Sequence, residues 1–359
     1  MKNVLLFGYY GFQNTGDEAL LQTIVGRMKK VRPKINITVL TYNEEETSKQ
    51  YGVKAVNRND MKKVLKAIKD SDVVISGGGS VLQDVTSSRS LLYYLAIIFT
   101  AKRLGKKVMF YGNGFGPITK GINKKICKYI LDQVDVITVR DHPSKELMQS
   151  IGVKKNIQVT ADVAFGMELP TVEKVDKLLR QEGLDQSKKI VGISVRSWKD
   201  HEDYKKVIAK MGDYLQKANH EVVFVPMHFP DDVNVSFQIA DMMETKAKVL
   251  TNQYSPEELL TVISGLDLMV GMRLHSLIFA AIANVPMVGL EYDDKINSFL
   301  KLVNQRNAGR VESLDQIRLF TAIDEILQNC AFAKQELDQA TAILRKKANM
   351  TQEIFLDLL

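Results

Sequence analysis

An α/β protein of two parallel-sheet domains facing a cleft is the fold class that this sequence predicts, and three observations carry the expectation. The chain has 359 residues, more than one hydrophobic core usually supports, and 45% of them are hydrophobic, enough for two cores. Short apolar runs alternate with longer amphipathic stretches almost from end to end, as repeated βαβ units do. The alternation lapses after Phe165, through Gly166 and Pro170, and resumes at Lys189 with a fresh strand.

Element by element, the first half offers strands at 3–8, 35–40, 72–76, 107–112 and 135–139. Thr15, Gly16 and Asp17 supply capping-type residues before Glu18-Ala19-Leu20-Leu21, so a helix should begin where the first glycine-rich loop ends. The second half offers strands at 189–195, 221–226, 248–250, 266–270 and 286–290, and the tail from about Leu314 reads as two helices. The expected division is an N-terminal Rossmann-like domain over 1–168, a connection over 169–187, a C-terminal Rossmann-like domain over 188–313, and helices over 314–359, the last packing back on the N-terminal domain.

A formal charge of +7 suits an anionic partner, whether phosphate ester, nucleic acid or acidic membrane surface, and does not choose among them. The basic residues are scattered over helices as solvated faces are, and no nucleic-acid motif occurs, so no nucleic-acid partner is expected. Cys127 and Cys330 lie too far apart for a metal or redox motif, which fits a reducing cytoplasm. Met1-Lys2 followed by Val4-Leu5-Leu6-Phe7 reads as a buried strand and not a signal peptide, because Gly8, Gly11, Asp17 and Glu18 follow at once. Of the two most apolar stretches, 91–101 is too short to span a bilayer, and 269–290 is interrupted by Arg273, His275 and Pro286. No transmembrane segment is expected, and a membrane-anchored substrate would be reached from the surface. Oligomeric state is not legible.

In open parallel sheets ligands bind at the carboxyl ends of the strands, so polar residues just after a strand carry the functional weight. The first such loop, residues 8–18, resembles a phosphate cradle but has neither a dinucleotide fingerprint nor a Walker spacing. Asn14, Asp17 and Glu18 suit sugar hydroxyls, with one carboxylate able to accept a hydroxyl proton, although both carboxylates could simply favour the helix dipole. Ser76-Gly77-Gly78-Gly79-Ser80, with Gln83-Asp84 beyond it, and Gly112-Asn113-Gly114-Phe115-Gly116-Pro117 follow the next strands and let a ligand approach bare backbone. Arg140 follows another strand, where it could hold a carboxylate or phosphate bidentately or form a surface pair with Asp141. His142, beside Pro143, reads as a cap or surface residue. The strongest signal is Gly271-Met272-Arg273-Leu274-His275, since an otherwise apolar helix rarely starts with two cationic or titratable groups. Lys295 follows the next strand, which completes a pocket for a small polyanion.

With these loops in order, the sequence resembles the polysaccharide pyruvyl transferase family, and within it the CsaB-type enzymes of bacterial cell-wall polymers. The resemblance covers nearly the whole chain and rests on residues 8–18, Ser76-Gly77-Gly78-Gly79, Gly114-Phe115-Gly116-Pro117, Val139-Arg140-Asp141, Gly271-Met272-Arg273-Leu274-His275 and Tyr292-Asp293-Asp294-Lys295. It implies a glycosyltransferase-B-like fold and transfer from phosphoenolpyruvate, as donor substrate, of a 4,6-linked pyruvate ketal to a sugar. For CsaB-type enzymes that sugar is N-acetylmannosamine of a lipid-diphosphate-linked precursor of a secondary cell-wall polymer, which anchors surface-layer proteins. The N-terminal domain would then be the acceptor side and the C-terminal domain the phosphoenolpyruvate side. Arg140, Arg273, Leu274, His275 and Lys295 would bind the donor, and Asn14, Asp17, Glu18, Gly78, Gly79, Gln83 and Asn113 the acceptor. His275 would be the acid, Asp17 the base, and the cations would stabilise departing phosphate. No cofactor is implied, no metal-ligand spacing occurs, and a cytoplasmic enzyme working at the inner membrane face is expected. The alternatives are a sugar-nucleotide-dependent glycosyltransferase of the same architecture and a non-catalytic binder of an anionic polymer.

Overall fold

The computed structural model describes residues 2–85, 87–199 and 201–359; Met1, Thr86 and Asp200 lie outside them. The chain forms two compact units. The first comprises Met1–Gln13, Asp17–Gly166 and Leu344–Leu359, and the second comprises Asn14–Gly16 and Met167–Ile343.

The first unit is built on a seven-stranded, wholly parallel sheet of β1 (Asn3–Phe7), β2 (Asn36–Thr41), β3 (Lys54–Asn57), β4 (Val73–Ser76), β5 (Lys107–Asn113), β6 (Val136–Val139) and β7 (Ile157–Val159). Its order is β3-β2-β1-β4-β5-β6-β7. The chain therefore winds outward in opposite directions from β1 and β4, and a crevice is expected between those two strand ends. Central strands read as unbroken apolar runs because both faces are covered; all four residues of β4 are buried. The core gathers Leu5, Phe7, Val74, Leu95, Ile98, Phe110 and Leu131. The end of the long helix Cys330–Leu358 belongs to this unit: Phe355 is fully buried and meets the Tyr111 ring edge-on at 6.1 Å, and the Thr351 hydroxyl donates to Thr160 Oγ1 at 2.8 Å.

The second unit has a six-stranded parallel sheet of β8 (Ile190–Ser194), β9 (Glu221–Phe224), β10 (Lys248–Val249), β11 (Leu268–Gly271), β12 (Met287–Glu291) and β13 (Arg306–Arg310), in the order β10-β9-β8-β11-β12-β13. Its winding reverses between β8 and β11. The expected connection over 169–187 carries the helix Val172–Gln181, and a Cβ on Gly265, which ends the helix Pro256–Ser264, would lie only 2.5 Å from Leu179, so this stretch packs into the second unit.

Every strand predicted from sequence is present, and three unpredicted ones occur: β3, β7 and β13. β3 (KAVN) and β13 (RNAGR) lie at sheet edges and are partly exposed, so they need no apolar run. β7, the other edge of the first sheet, has only three residues. Among the described residues, no helix is long and apolar enough to cross a membrane.

Candidate functional site

In the first unit the loops after β1 and β4 meet at the winding reversal. Gly77 has no Cβ because the Tyr10 hydroxyl would lie 2.2 Å from it, and that hydroxyl donates to the Gly77 carbonyl. Gly78 and Gly79 adopt left-handed φ values of 74° and 67°. A Cβ on Gly78 would press on Leu20 at 2.9 Å, and one on Gly79 on the Asp17 carboxylate at 2.8 Å. Asp17 thus lies directly over the glycine turn at the end of β4.

Several expected acceptor residues have other partners. Glu18 neither faces outward nor merely complements the helix dipole: its carboxylate accepts the Gly11 amide at 2.7 Å and the Tyr51 hydroxyl at 2.8 Å, closing the first loop. Burial pushes its pKa up against those two donors. Asn113 is fully buried, with its amide donating to Ser76 Oγ at 3.0 Å and the Gly78 carbonyl at 2.9 Å while its oxygen accepts the Tyr111 amide at 2.9 Å. It braces the glycine turn from within the fold. Gln83 is half-buried beside Leu82, which bridges to Phe115.

Arg140 is neither a surface partner of Asp141 nor an open guanidinium. Only 8% exposed, it reaches Asp162 at 3.1 Å, Asp141 at 3.3 Å and Ser80 Oγ at 3.2 Å. Burial works against its charge, and Asp162 and then Asp141 outweigh that, holding the pKa above its ordinary value. Gly114 makes the cluster possible, because a Cβ there would lie 2.2 Å from Ser80 Oγ and 3.0 Å from Arg140 Nη2. Asp141 also caps the helix His142–Ser150, so His142 is an exposed first-turn residue and not the cap.

In the second unit the ends of β8, β11 and β12 lie side by side. Arg273 ends the turn after β11 and forms a fork with Asp232, Nε to Oδ2 at 2.9 Å and Nη2 to Oδ1 at 2.5 Å. Asp232 is 1% exposed and also accepts the amides of Met227 and His228 at 3.1 and 3.0 Å. The same 227–228 turn receives the tip of the first glycine loop: the Thr15 amide donates to the Met227 carbonyl at 2.9 Å, and Asn14 bridges His228. Gly16 then packs on His275, where a Cβ would lie 2.1 Å from Nδ1. Leu274 is buried, leaving the first-turn amide of the helix Leu274–Ile282 as what it can offer a ligand.

Lys295 pairs with Asp293 at 3.2 Å and lies 5.1 Å over the Tyr292 ring, and Arg196, two residues beyond β8, lies 4.8 Å over the same ring. Burial would raise the Tyr292 pKa, but Lys295, Arg196 and Arg273 together bring it down, so one phenol feels all three cations. Trp198 meets Tyr292 edge-on at 4.9 Å and is fixed by its indole N–H to Glu312 at 2.8 Å. Arg196 was missed in the sequence although it sits where Arg273 sits, just past a strand; Asp232 gave no signal, being 41 residues from its partner Arg273. Among the described residues no group of three or more His, Cys, Asp or Glu gathers to hold a metal.

The model of the family described as polysaccharide pyruvyl transferase matches residues 14–294, most of the chain. The chain belongs to that family. A relative within reach of sequence comparison is the amylovoran biosynthesis protein AmsJ of Erwinia amylovora, 22% identical, with 94% of this chain and 95% of that protein covered. Among solved structures the family member is similar to Anabaena Alr3699/HepE in complex with UDP-glucose, with TM-score 0.67, 13% identity, and 100% and 99% of the two chains covered. It is likewise similar to UDP-GlcNAc 2-epimerase from Neisseria meningitidis bound to UDP-GlcNAc, with TM-score 0.66, 12% identity, and 99% and 100% covered. At such identities these likenesses establish the glycosyltransferase-B-like fold that this pyruvyl transferase family member shares with them.

Proposed function

We propose that the protein transfers the three-carbon unit of phosphoenolpyruvate to a saccharide as a cyclic 4,6-pyruvate ketal and releases phosphate, acting on an N-acetylmannosamine residue of a lipid-diphosphate-linked cell-wall polymer precursor. The observation that carries this reading is the convergence of Arg196 and Lys295 on the Tyr292 ring in the second unit, with Arg273 and His275 on the turn after the neighbouring strand β11. A phosphate and a carboxylate on one small molecule need several fixed cations, and the Asp232 fork pre-orients one of them.

The chemistry follows from the enol phosphate. His275 delivers a proton to the methylene carbon while one sugar hydroxyl adds to the central carbon, giving a tetrahedral phosphoketal. The carbon–oxygen bond to phosphate then breaks, phosphate leaves with that electron pair beside the cations, and the second hydroxyl attacks with loss of its proton. The product is ketal plus inorganic phosphate, with no redox change. In the first unit, Asp17 over the Gly79 turn is the proposed base. Arg140 is proposed to present an anion with its Nη2 edge, the one that rests on neutral Ser80.

A second reading, a sugar-nucleotide glycosyltransferase, is favoured by the uridine nucleotide ligands of the similar structures. Incubation with phosphoenolpyruvate and a lipid-diphosphate disaccharide, read by mass spectrometry, decides between them. The acceptor should gain one pyruvate less one water, with stoichiometric phosphate release. Turnover of a UDP-sugar with none of phosphoenolpyruvate would establish the second reading instead.

A further inference from the structure

The positive charge of this protein is regional. Residues 85–131 hold nine Lys and Arg and no Asp or Glu. Subtracting their +9 from the chain's +7 leaves −2 for all the rest.

Most of that stretch folds into the helices Ser88–Arg103 and Gly121–Leu131, which follow β4 and β5. Both crossovers run the same way across the sheet, so their helices pack side by side on one face of it. Leu91, Leu95 and Ile98 of the first helix and Cys127, Ile130 and Leu131 of the second belong to the core. Ser88 ties the two helix starts together, its Oγ accepting Lys120 Nζ at 2.8 Å and the Asn123 side-chain amide at 3.3 Å. The outward stripes repeat at i, i+3 and i+7: Arg89, Leu92 and Ala96 on the first helix, Ile122, Lys125 and Tyr129 on the second. Leu92 is 44%, Ile122 64% and Tyr129 60% exposed. Lys102 and Lys128 are neutralised by Asp135 and Asp132 at 2.6 and 2.8 Å, and Lys106 and Lys107 donate to the carbonyls of Lys69 and Leu358. Arg89, Lys120, Lys124 and Lys125 are exposed, and among the described residues no ion pair joins them to a carboxylate.

Single exposed apolar side chains are ordinary, and a solvated helix face mixes both signs of charge. Adjoining stripes that combine large apolar side chains with cations alone fit neither pattern. Nucleic acid would use the cations but not the aliphatic groups. An anionic lipid surface uses both: head groups attract the lysines, acyl chains take Leu92 and Ile122, and a tyrosine settles at the boundary between them. We propose that the outer faces of these two helices dock the protein on an anionic membrane surface, with Leu92, Ile122 and Tyr129 entering the lipid among Lys120, Lys124 and Lys125. Both helices start at the carboxyl edge of the sheet, so the docked face reaches the edge that carries the Gly77–Gly79 turn and Asp17. Charge and exposure carry this surface whatever the acceptor proves to be.

Flotation of the full chain with vesicles of phosphatidylcholine, or of equal parts phosphatidylcholine and phosphatidylglycerol, measures docking. The protein should float with the anionic vesicles, more at low salt than at high, and not with phosphatidylcholine alone. Each cation near such a surface strengthens binding about fivefold, so Lys124→Glu/Lys125→Glu should weaken it about tenfold or more. Ile122→Ser should weaken it several-fold without changing the melting temperature. Ile122→Trp should give vesicle-dependent, blue-shifted emission above that of the one native tryptophan, Trp198 in the second unit. Unshifted emission, equal flotation of wild type and variants, or no flotation of the wild type would each overturn the proposal. Binding of single-stranded RNA, or a concentration-dependent dimer, that the lysine variant loses while vesicles stay unbound would give the surface to nucleic acid or to a second copy and overturn it too. No substrate enters these measurements, so docking and the phosphoenolpyruvate reaction stand or fall separately.

Discussion

A methyl group at position 16 would land 2.1 Å from His275 Nδ1, in the first turn of the helix Thr15–Val31, where alanine is otherwise the best helix former. Gly16→Ala should therefore fold, gain or lose little in melting temperature, and displace the imidazole; phosphate release should fall at least tenfold, and an unchanged rate would show that the imidazole position does not matter. His275→Ala should fold normally and lose about 10²-fold or more in phosphate release, the usual loss for an acid–base group. Asp232→Asn leaves Arg273 without a counter-charge at a site where the carboxylate is 1% exposed. A loss of about 3 kcal/mol in urea denaturation is expected, with reduced turnover. Arg273, His275 and Lys295 were legible because cationic groups just past apolar strands stand out. Their partners were not: Asp232 and Asp162 act across the fold, and nothing local in the sequence marks a carboxylate as the one that holds a distant arginine.

At the scale of the element, the helix Gly121–Leu131 illustrates capping from a distance. Its own N-cap, Lys120, supplies no side-chain cap bond. Asp84 serves instead, accepting the amides of Thr119 and Lys120 at 2.7 and 3.0 Å and the Asn123 side chain at 2.8 Å. Burial would raise its pKa, but these donors outweigh it and hold it well below the usual carboxylate range. Because the folded pKa lies below the unfolded value of about 3.9, Asp84 adds stability that is complete above that pH and lost as pH falls through the folded value. Asp84→Asn should lower stability at neutral pH and flatten the decline below about pH 4 in acid denaturation; an unaltered acid limb would remove Asp84 from that role. The sequence placed the central strands well, since burial on both faces leaves an unbroken apolar run, and missed β3, β7 and β13, which are edges and short or polar. The glycine loops were also read in place, but their glycines mainly admit Tyr10, Leu20 and Asp17, a packing need that only the assembled sheet reveals.

Across the whole molecule, both units consist of segments distant in sequence. The first needs the end of the helix Cys330–Leu358, where Ala348, Thr351 and Phe355 are fully buried and Lys107 Nζ donates to the Leu358 carbonyl at 2.6 Å. Phe355→Ala should cost about 3–5 kcal/mol in urea denaturation, as other buried Phe truncations do. A loss under 1 kcal/mol would mean the helix end is dispensable to this core. The same arrangement has a bearing on synthesis. A chain made from its N-terminus usually folds its first domain first, but here the first unit lacks a wall of its core until residue 355 has left the ribosome. Its early form must wait with Tyr111 and Thr160 uncovered until that helix end emerges, so the half made first is the half completed last.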